Sequence, residues 1–276
     1  MDPPLASFAD KSDEPDLSQL LEVGEIIGSG GMAEVYSAVH RQTRQPLAMK
    51  RIKPELAHRT HLRQRFANEV DLLERCRGPY VLDLVVASTW DGTPAFVAER
   101  CVGSLHDVAR ERPLPLQRSL GYTAEILAAL DRVHQLGVVH RDIKPSNLLI
   151  AQDGSLRLAD FGIARHPSRR LTAFGRRVGT PNYAAPDLVA DPRQAVPSHD
   201  LFAVGLLLFA ISTHLRTSTL TRLEDRDRTL ARFPAATAHL VDRATALDPD
   251  ARYTSAAEMA LDVQRAMAAL GPAQAS

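Results

Sequence analysis

A chain of 276 residues is long enough for one large domain or for two lobes with separate cores. Apolar residues make up 45% and charged residues 24%, an ordinary globular balance. The 33 basic residues match 33 acidic ones, which excludes a bulk-charge drive towards nucleic acid or membrane.

In chain order, the first 20 residues are acidic and proline-containing, lack a basic-then-apolar signal and predict a disordered tail. Residues 22–54 alternate apolar and polar types around glycines, which predicts strands and hairpins. Among them "IIGSGGMAEVYSAV" brings glycines together where backbone N–H groups could approach a phosphate. It lacks the "GK[ST]" of a Walker A loop, and "VYSAV" alternates as a strand where a dinucleotide fingerprint opens a helix. Two readings stay open: a hairpin folded over nucleotide phosphates, or an ordinary glycine turn.

Residues 61–75 carry Leu62, Phe66, Val70 and Leu73 at helical spacing. Glu69 falls within that stripe and Asp71 on the opposite face. A carboxylate on an apolar face needs a partner, and Lys50, ending the strand "PLAMK", is the natural one. The alternative is that Glu69 edges the stripe and reaches water. Strand-like "YVLDLVVAST" and "PAFVAER" follow, then helical patterns from Leu116 to the end. This order predicts an α+β, bilobal architecture, with a β-rich front lobe over 21–101 and a helical back lobe over 102–269. Residues 270–276 read as a frayed terminus, and a cleft between lobes is the default place for a small-molecule site.

Within the back lobe, "VVHRDIKPSNLLI" sets a His, an Arg, an Asp, a Lys and an Asn between two apolar runs. The runs belong in a core, so the polar group is pinned at its edge. The longest apolar stretch, "LFAVGLLLFAIS", is shorter than the roughly 20 residues a bilayer span needs. Cys76 and Cys101 provide no disulfide framework and suit a reducing compartment, so a cytoplasmic protein without membrane partners is expected.

"GSGGMAEV", "LAMK", a helical Glu, "HRDIKPSN", "DFG" and "GTPNYAAPD" occur in one order. Together they resemble the protein-kinase signature set, and in particular bacterial eukaryotic-like Ser/Thr protein kinases, over roughly residues 22–268. The resemblance implies a serine/threonine protein kinase that uses ATP with Mg²⁺, or Mn²⁺ in its place. Asp142 would orient the substrate hydroxyl and accept its proton, Lys144 would neutralise the transferred phosphoryl, and Lys50 would pair with Glu69. Asn147 and Asp160 would hold magnesium, while His140 would be a packing residue.

By the same resemblance Ile27, Gly28, Ser29, Gly30, Gly31, Met32, Ala33, Glu34 and Val35 form the loop over the nucleotide. Val35, Ala48 and Leu149 would sandwich adenine, and the backbones of Glu99 and Cys101 would bond its edge. Ala98 guards the back of that pocket, where a bulkier residue is usual, so bulky N6-substituted ATP analogues are expected to enter.

Lys144, two residues after Asp142, and Thr180 mark the Ser/Thr class. Residues 163–184 resemble an activation segment in which Thr172, then Ser168, is the phosphate acceptor facing Arg141. Its basic residues Arg165, His166, Arg169, Arg170, Arg176 and Arg177 lack an aromatic platform, so no nucleic-acid partner is expected. Protein substrates with Ser or Thr acceptors are the expected partners. Control would come from another chain, from a homodimer that phosphorylates in trans, or from self-phosphorylation.

Three departures stand out. Ala33 replaces the third loop glycine, and Asp187 replaces the Glu of the usual "APE", with Arg252 as its expected partner. Residues 213–240 are short for a region that normally builds a docking helix. That last departure sustains a competing reading, a pseudokinase scaffold acting by contact; an enzyme that phosphorylates a small molecule is a third reading, against which the activation segment and "GTPNYAAPD" argue.

Overall fold

Period-two alternation in the front of the chain builds β1 (Leu21–Ser29), β2 (Ala33–His40), β3 (Pro46–Ile52), β4 (Leu84–Trp90) and β5 (Thr93–Glu99). They form one antiparallel sheet in the order β1-β2-β3-β5-β4. Asp91 and Gly92, both at positive φ (48° and 67°), make the two-residue turn that the twist of a β4–β5 hairpin favours. The computed structural model describes residues 16–161, 183–191 and 194–271. The chain divides into two units, Met1–Val102 with Ala159–Ile163, and Gly103–Leu158 with Ala164–Ser276.

In the first unit the alternation along β3 sends Leu47 and Met49 to one face of the sheet and Ala48 and Lys50 to the other. The Leu47 face is closed by α1 (Leu17–Leu20), whose Leu17 is fully buried against Leu21, Ala38, Met49, Ala95 and Val97. The tail expected over residues 1–20 is therefore too long. Asp16 caps α1 by accepting the Ser18 N–H at 2.8 Å, and residues 17–20 belong to the folded unit because they cover an apolar face. On the other face lies α2 (Thr60–Arg75), with the Phe66 ring 5.3 Å from that of Phe96.

In the second unit the helix-rich order is α3 (Leu105–Glu111), α4 (Leu116–Gln135), α5 (Pro186–Ala190), α6 (Pro197–Thr213), α7 (Ser218–Thr221), α8 (Leu223–Leu230), α9 (Ala235–Ala244) and α10 (Ala256–Leu270). A small sheet of β6 (Gly103–Ser104), β7 (Leu148–Ile150) and β8 (Leu156–Leu158) flanks the segment "HRDIKPSN". Helix α6 is apolar all round and buried from His199 to Phe209, with α4, α9 and α10 packed about it. The short 213–240 stretch holds α7, α8 and the start of α9. Arg226 ties α8 down by donating to Asp242 Oδ1 at 2.8 Å, the Leu220 carbonyl at 2.9 Å and the Asp242 carbonyl at 2.7 Å.

Helix α6 meets α9 at Gly205, where an added Cβ would lie 2.6 Å from Ala244 Cβ and 2.9 Å from Thr245 Cγ2. Both neighbours belong to a packed core and cannot swing away. Gly205→Ala is expected to destabilise the protein by about 1–3 kcal/mol, read as a lower midpoint in thermal and urea unfolding.

Candidate active site

Strand β3 delivers Lys50 to the α2 face of its sheet, and α2 delivers Glu69 to the same place. Lys50 Nζ donates to Glu69 Oε1 at 2.5 Å, and the Glu69 side chain is 2% exposed. Asp160 Oδ1 lies 3.7 Å from the same ammonium. Burial alone would push the Lys50 ammonium down, but the Glu69 and Asp160 carboxylates outweigh it and hold its pKa above the ordinary lysine value. Lys50 therefore stays charged between two carboxyl groups, while burial, only partly offset by Lys50, pushes the Glu69 carboxyl above its ordinary value.

The second unit holds the other cluster. Asp142 is buried, and Lys144 Nζ sits 2.6 Å from its Oδ2. Asn147 donates from Nδ2 to the Asp142 carbonyl at 2.9 Å and to Asp142 Oδ2 at 3.0 Å. Arg141 adopts φ 69°, a left-handed conformation that costs a non-glycine residue on the order of 1–3 kcal/mol.

Asp200, in the first turn of α6, holds that loop in place. Its Oδ2 accepts the His140 N–H at 2.8 Å, and its Oδ1 accepts the Arg141 N–H at 2.7 Å. His134 Nε2 stands 2.9 Å from Oδ2. Burial alone would raise the Asp200 carboxyl, but the His134 hydrogen bond, with further help from His140 and the Arg141 N–H, holds it below the ordinary aspartate value. His140 is fully buried and its Nδ1 accepts the Asp142 N–H at 3.4 Å, so it organises the loop backbone.

In the glycine loop, Gly28 and Ser29 end β1, after Ile27, and Ala33, Glu34 and Val35 open β2. Gly30 donates its N–H to the Ala33 carbonyl at 2.9 Å, which closes the turn through Gly31 and Met32. An added Cβ at Gly31 meets nothing within 4 Å, and one at Gly30 meets only the Ala33 carbonyl at 3.7 Å. Neither residue is among the positive-φ glycines. The fold of the described residues therefore does not demand glycine there, and the bare backbone leaves room for a ligand such as a phosphate. Ala48 and Ala98 face each other across β3 and β5, so two methyl groups line that stretch of the sheet. Glu99 ends β5 with its N–H on the Asp83 carbonyl at 3.0 Å, and Cys101 follows half-buried. Leu149 lies on β7 of the second unit.

Each unit, taken by itself, offers an oxygen donor of the kind a hard divalent cation takes. Asp160 offers a carboxylate at φ 64°, and Asn147, its nitrogen committed to Asp142, presents its amide oxygen elsewhere. Among the described residues no group of three or more His, Cys, Asp or Glu makes a metal cage. One or two protein oxygens suffice for Mg²⁺ where phosphate oxygens complete its shell.

The structure brings Lys50, Glu69 and Asp160 together in one unit and Arg141, Asp142, Lys144 and Asn147 together in the other. Thr172, Ser168 and Thr180 lie outside the described residues. The acid of "APD" reaches its base: Arg252 Nη2 donates to Asp187 Oδ1 at 2.8 Å although Asp187 is one carbon shorter than Glu. Sequence reasoning missed Asp200 and His134. A signal was present, because Asp200 opens the most apolar helix in the chain and a carboxylate there requires donors.

The chain belongs to the protein kinase family: the model described as the protein kinase domain matches residues 21–262. It is 36% identical over 192 residues to serine/threonine-protein kinase AfsK of Streptomyces coelicolor, covering 68% of this chain and 24% of that protein. It is 29% identical over 275 residues to serine/threonine-protein kinase PknB of Mycobacterium leprae, covering 91% of this chain and 43% of that protein. The probable serine/threonine-protein kinase pknA2 of Bifidobacterium longum is 32% identical over 193 residues, 68% of this chain and 25% of that protein. The chain thus spans less than half the length of these relatives. Among the described residues no helix is long and apolar enough to cross a membrane.

The lowered pKa of Asp200 sets a pH signature. Its contribution to stability is complete above an unfolded value of about 3.9 and is lost as pH falls through the lower folded value. Asp200→Asn is expected to lower stability at neutral pH by at least about 2 kcal/mol. It should also flatten the acid limb of unfolding free energy against pH, measured by denaturant titration.

Proposed function

We propose that the chain is a serine/threonine protein kinase that transfers the γ-phosphoryl of Mg-ATP to protein Ser or Thr hydroxyls. The observation that carries this reading is Asp142, a buried carboxylate fixed by Asn147 and Lys144 on a backbone that Asp200 anchors. Phosphoryl transfer asks a protein chiefly for positioning and charge stabilisation, and both groups of residues serve that end.

In this reading Lys50, kept charged by Glu69, holds the ATP phosphates, and the open backbone at Gly30 and Gly31 admits them. Asp142 orients the acceptor hydroxyl and takes its proton as the O–P bond forms. Lys144, beside that carboxylate, neutralises charge on the phosphoryl group in transit. When bound, Mg²⁺ supplies charge neutralisation to the phosphate oxygens, with Asp160 and Asn147 as its holders. Val35, Ala48 and Leu149 sandwich adenine, and Arg141 awaits a phosphate on Thr172 or Ser168.

A second reading, a nucleotide-binding scaffold that regulates a partner by contact, is favoured only by the short α7–α8 region. Phosphate incorporation from labelled ATP followed by site mapping separates the two. The kinase reading expects label on serine or threonine, foremost Thr172, and a loss of at least about 100-fold in Asp142→Asn. Nucleotide binding with no label on the chain or on basic proteins would select the scaffold.

Ala98 yields a further expectation. Bulky N6-substituted ATP analogues should act as substrates or inhibitors of the wild type, and Ala98→Met should exclude them while ATP use persists. Analogues that do neither in a competition assay would show that the pocket is closed by another residue.

A further inference from the structure

The mechanism leaves His199 unused, a histidine 4% exposed in the first turn of α6, immediately before Asp200. Its Nδ1 accepts the Val196 N–H at 3.1 Å, so that nitrogen carries no proton. The proton of the neutral ring must then sit on Nε2, which lies 2.7 Å from Asp187 Oδ2 and donates to it. Asp187 is thereby held at both oxygens, because Oδ1 takes Arg252. Arg252 itself is fully buried, donates to the Ala246 carbonyl at 2.7 Å and stacks 4.8 Å from the Phe202 ring of α6. His199 also lines a small cavity with Arg141, Asp142, Tyr183, Leu188 and Asp200.

The tie has a geometric reason. Asp187 is one carbon shorter than the acid usual in the "APE" position, and with Oδ1 taken by Arg252 its second oxygen still accepts a donor. His199 supplies that donor, and its other nitrogen caps the start of α6, in the manner of an acidic residue three positions into a helix. Two neighbouring residues of α6 therefore hold two different pieces: Asp200 the backbone of the catalytic loop, and His199 the helix that follows residues 162–182.

We propose that His199, as its Nε2–H tautomer, is a positioning residue that completes the Asp187 anchor and sets the protein-substrate side of the site. This rests on the kinase reading. Because Asp200 continues to hold the His140–Arg141 backbone next to Asp142, loss of the His199–Asp187 bond is expected to act on the protein substrate and to spare ATP.

The test compares His199→Gln, whose amide nitrogen reaches Asp187, with His199→Asn, which reaches only the Val196 N–H. Steady-state kinetics on a basic protein substrate should show KM for that substrate raised about tenfold in His199→Asn, with KM for ATP and kcat little changed. His199→Gln should restore KM for the protein to within about threefold. Asp187→Glu should rescue His199→Asn, since the longer acid no longer needs the second donor, yet impair the wild type by crowding the imidazole.

Equal losses in the two His199 variants, losses carried by kcat or by KM for ATP, or additive effects of positions 187 and 199 would overturn the proposal. ¹⁵N imidazole shifts of the full chain give a readout independent of activity. A protonated Nε2 and unprotonated Nδ1 support the contact, and the opposite tautomer overturns it. A wild type that transfers no phosphate would overturn the kinase reading, while the shifts and the 187–199 coupling in thermal unfolding would still decide the His199 contact.

Discussion

A carboxylate buried at the start of an apolar helix governs the second unit. Asp200 would be costly to bury unpaired, and the donors that satisfy it are two successive backbone N–H groups, of His140 and Arg141, together with His134. The arrangement works in both directions. The loop supplies what the carboxylate requires, and the carboxylate holds Arg141 in a left-handed conformation that it would not adopt alone. Because α6 is buried all round, the anchor itself is fixed by packing on every side. Asp142, one residue further on, inherits that rigidity.

The first unit solves a similar problem with opposite charges. Glu69 is buried on α2 and Lys50 on β3, and each makes the other's burial tolerable. Removing either leaves a lone charge in a low-dielectric setting, which is the expensive case. Helix and strand are thus coupled by an ion pair as well as by the Phe66 and Phe96 rings. In the kinase reading the same ammonium that steadies α2 is the one that meets the phosphates. Fold and chemistry share one group.

In the kinase reading, the departures from the family pattern fall on the protein-substrate side. Asp187 is held by His199 and Arg252 together, and the short 213–240 region carries α7 and α8. Arg226, with three bonds to α9 and α7, shows that the short version is a packed structure. The residues that would handle ATP show no comparable change beyond Ala33 and the small Ala98.

Much of this was legible in the chain. Period two in residues 22–54 and period 3.6 in 61–75 fixed the strands and α2, because each pattern describes one buried face. Glu69 inside an apolar stripe left two readings, a Lys50 partner or a reach to water, and the fold selects Lys50. The order of short motifs singled out Asp142, Asn147 and Asp160 as candidates without any distance. What the sequence could not supply were partners far apart along the chain and chosen by packing. Residues 17–20 read as tail because four residues carry no usable period, and only the sheet shows the apolar face that Leu17 covers. Asp200 and His134 are 66 positions apart. His199 reads as a polar residue before a hydrophobic run until α5 is seen beside it. Local pattern determines which face of an element is buried, whereas the bond that a buried polar atom makes is decided by whichever donor or acceptor the folded chain brings within about 3 Å.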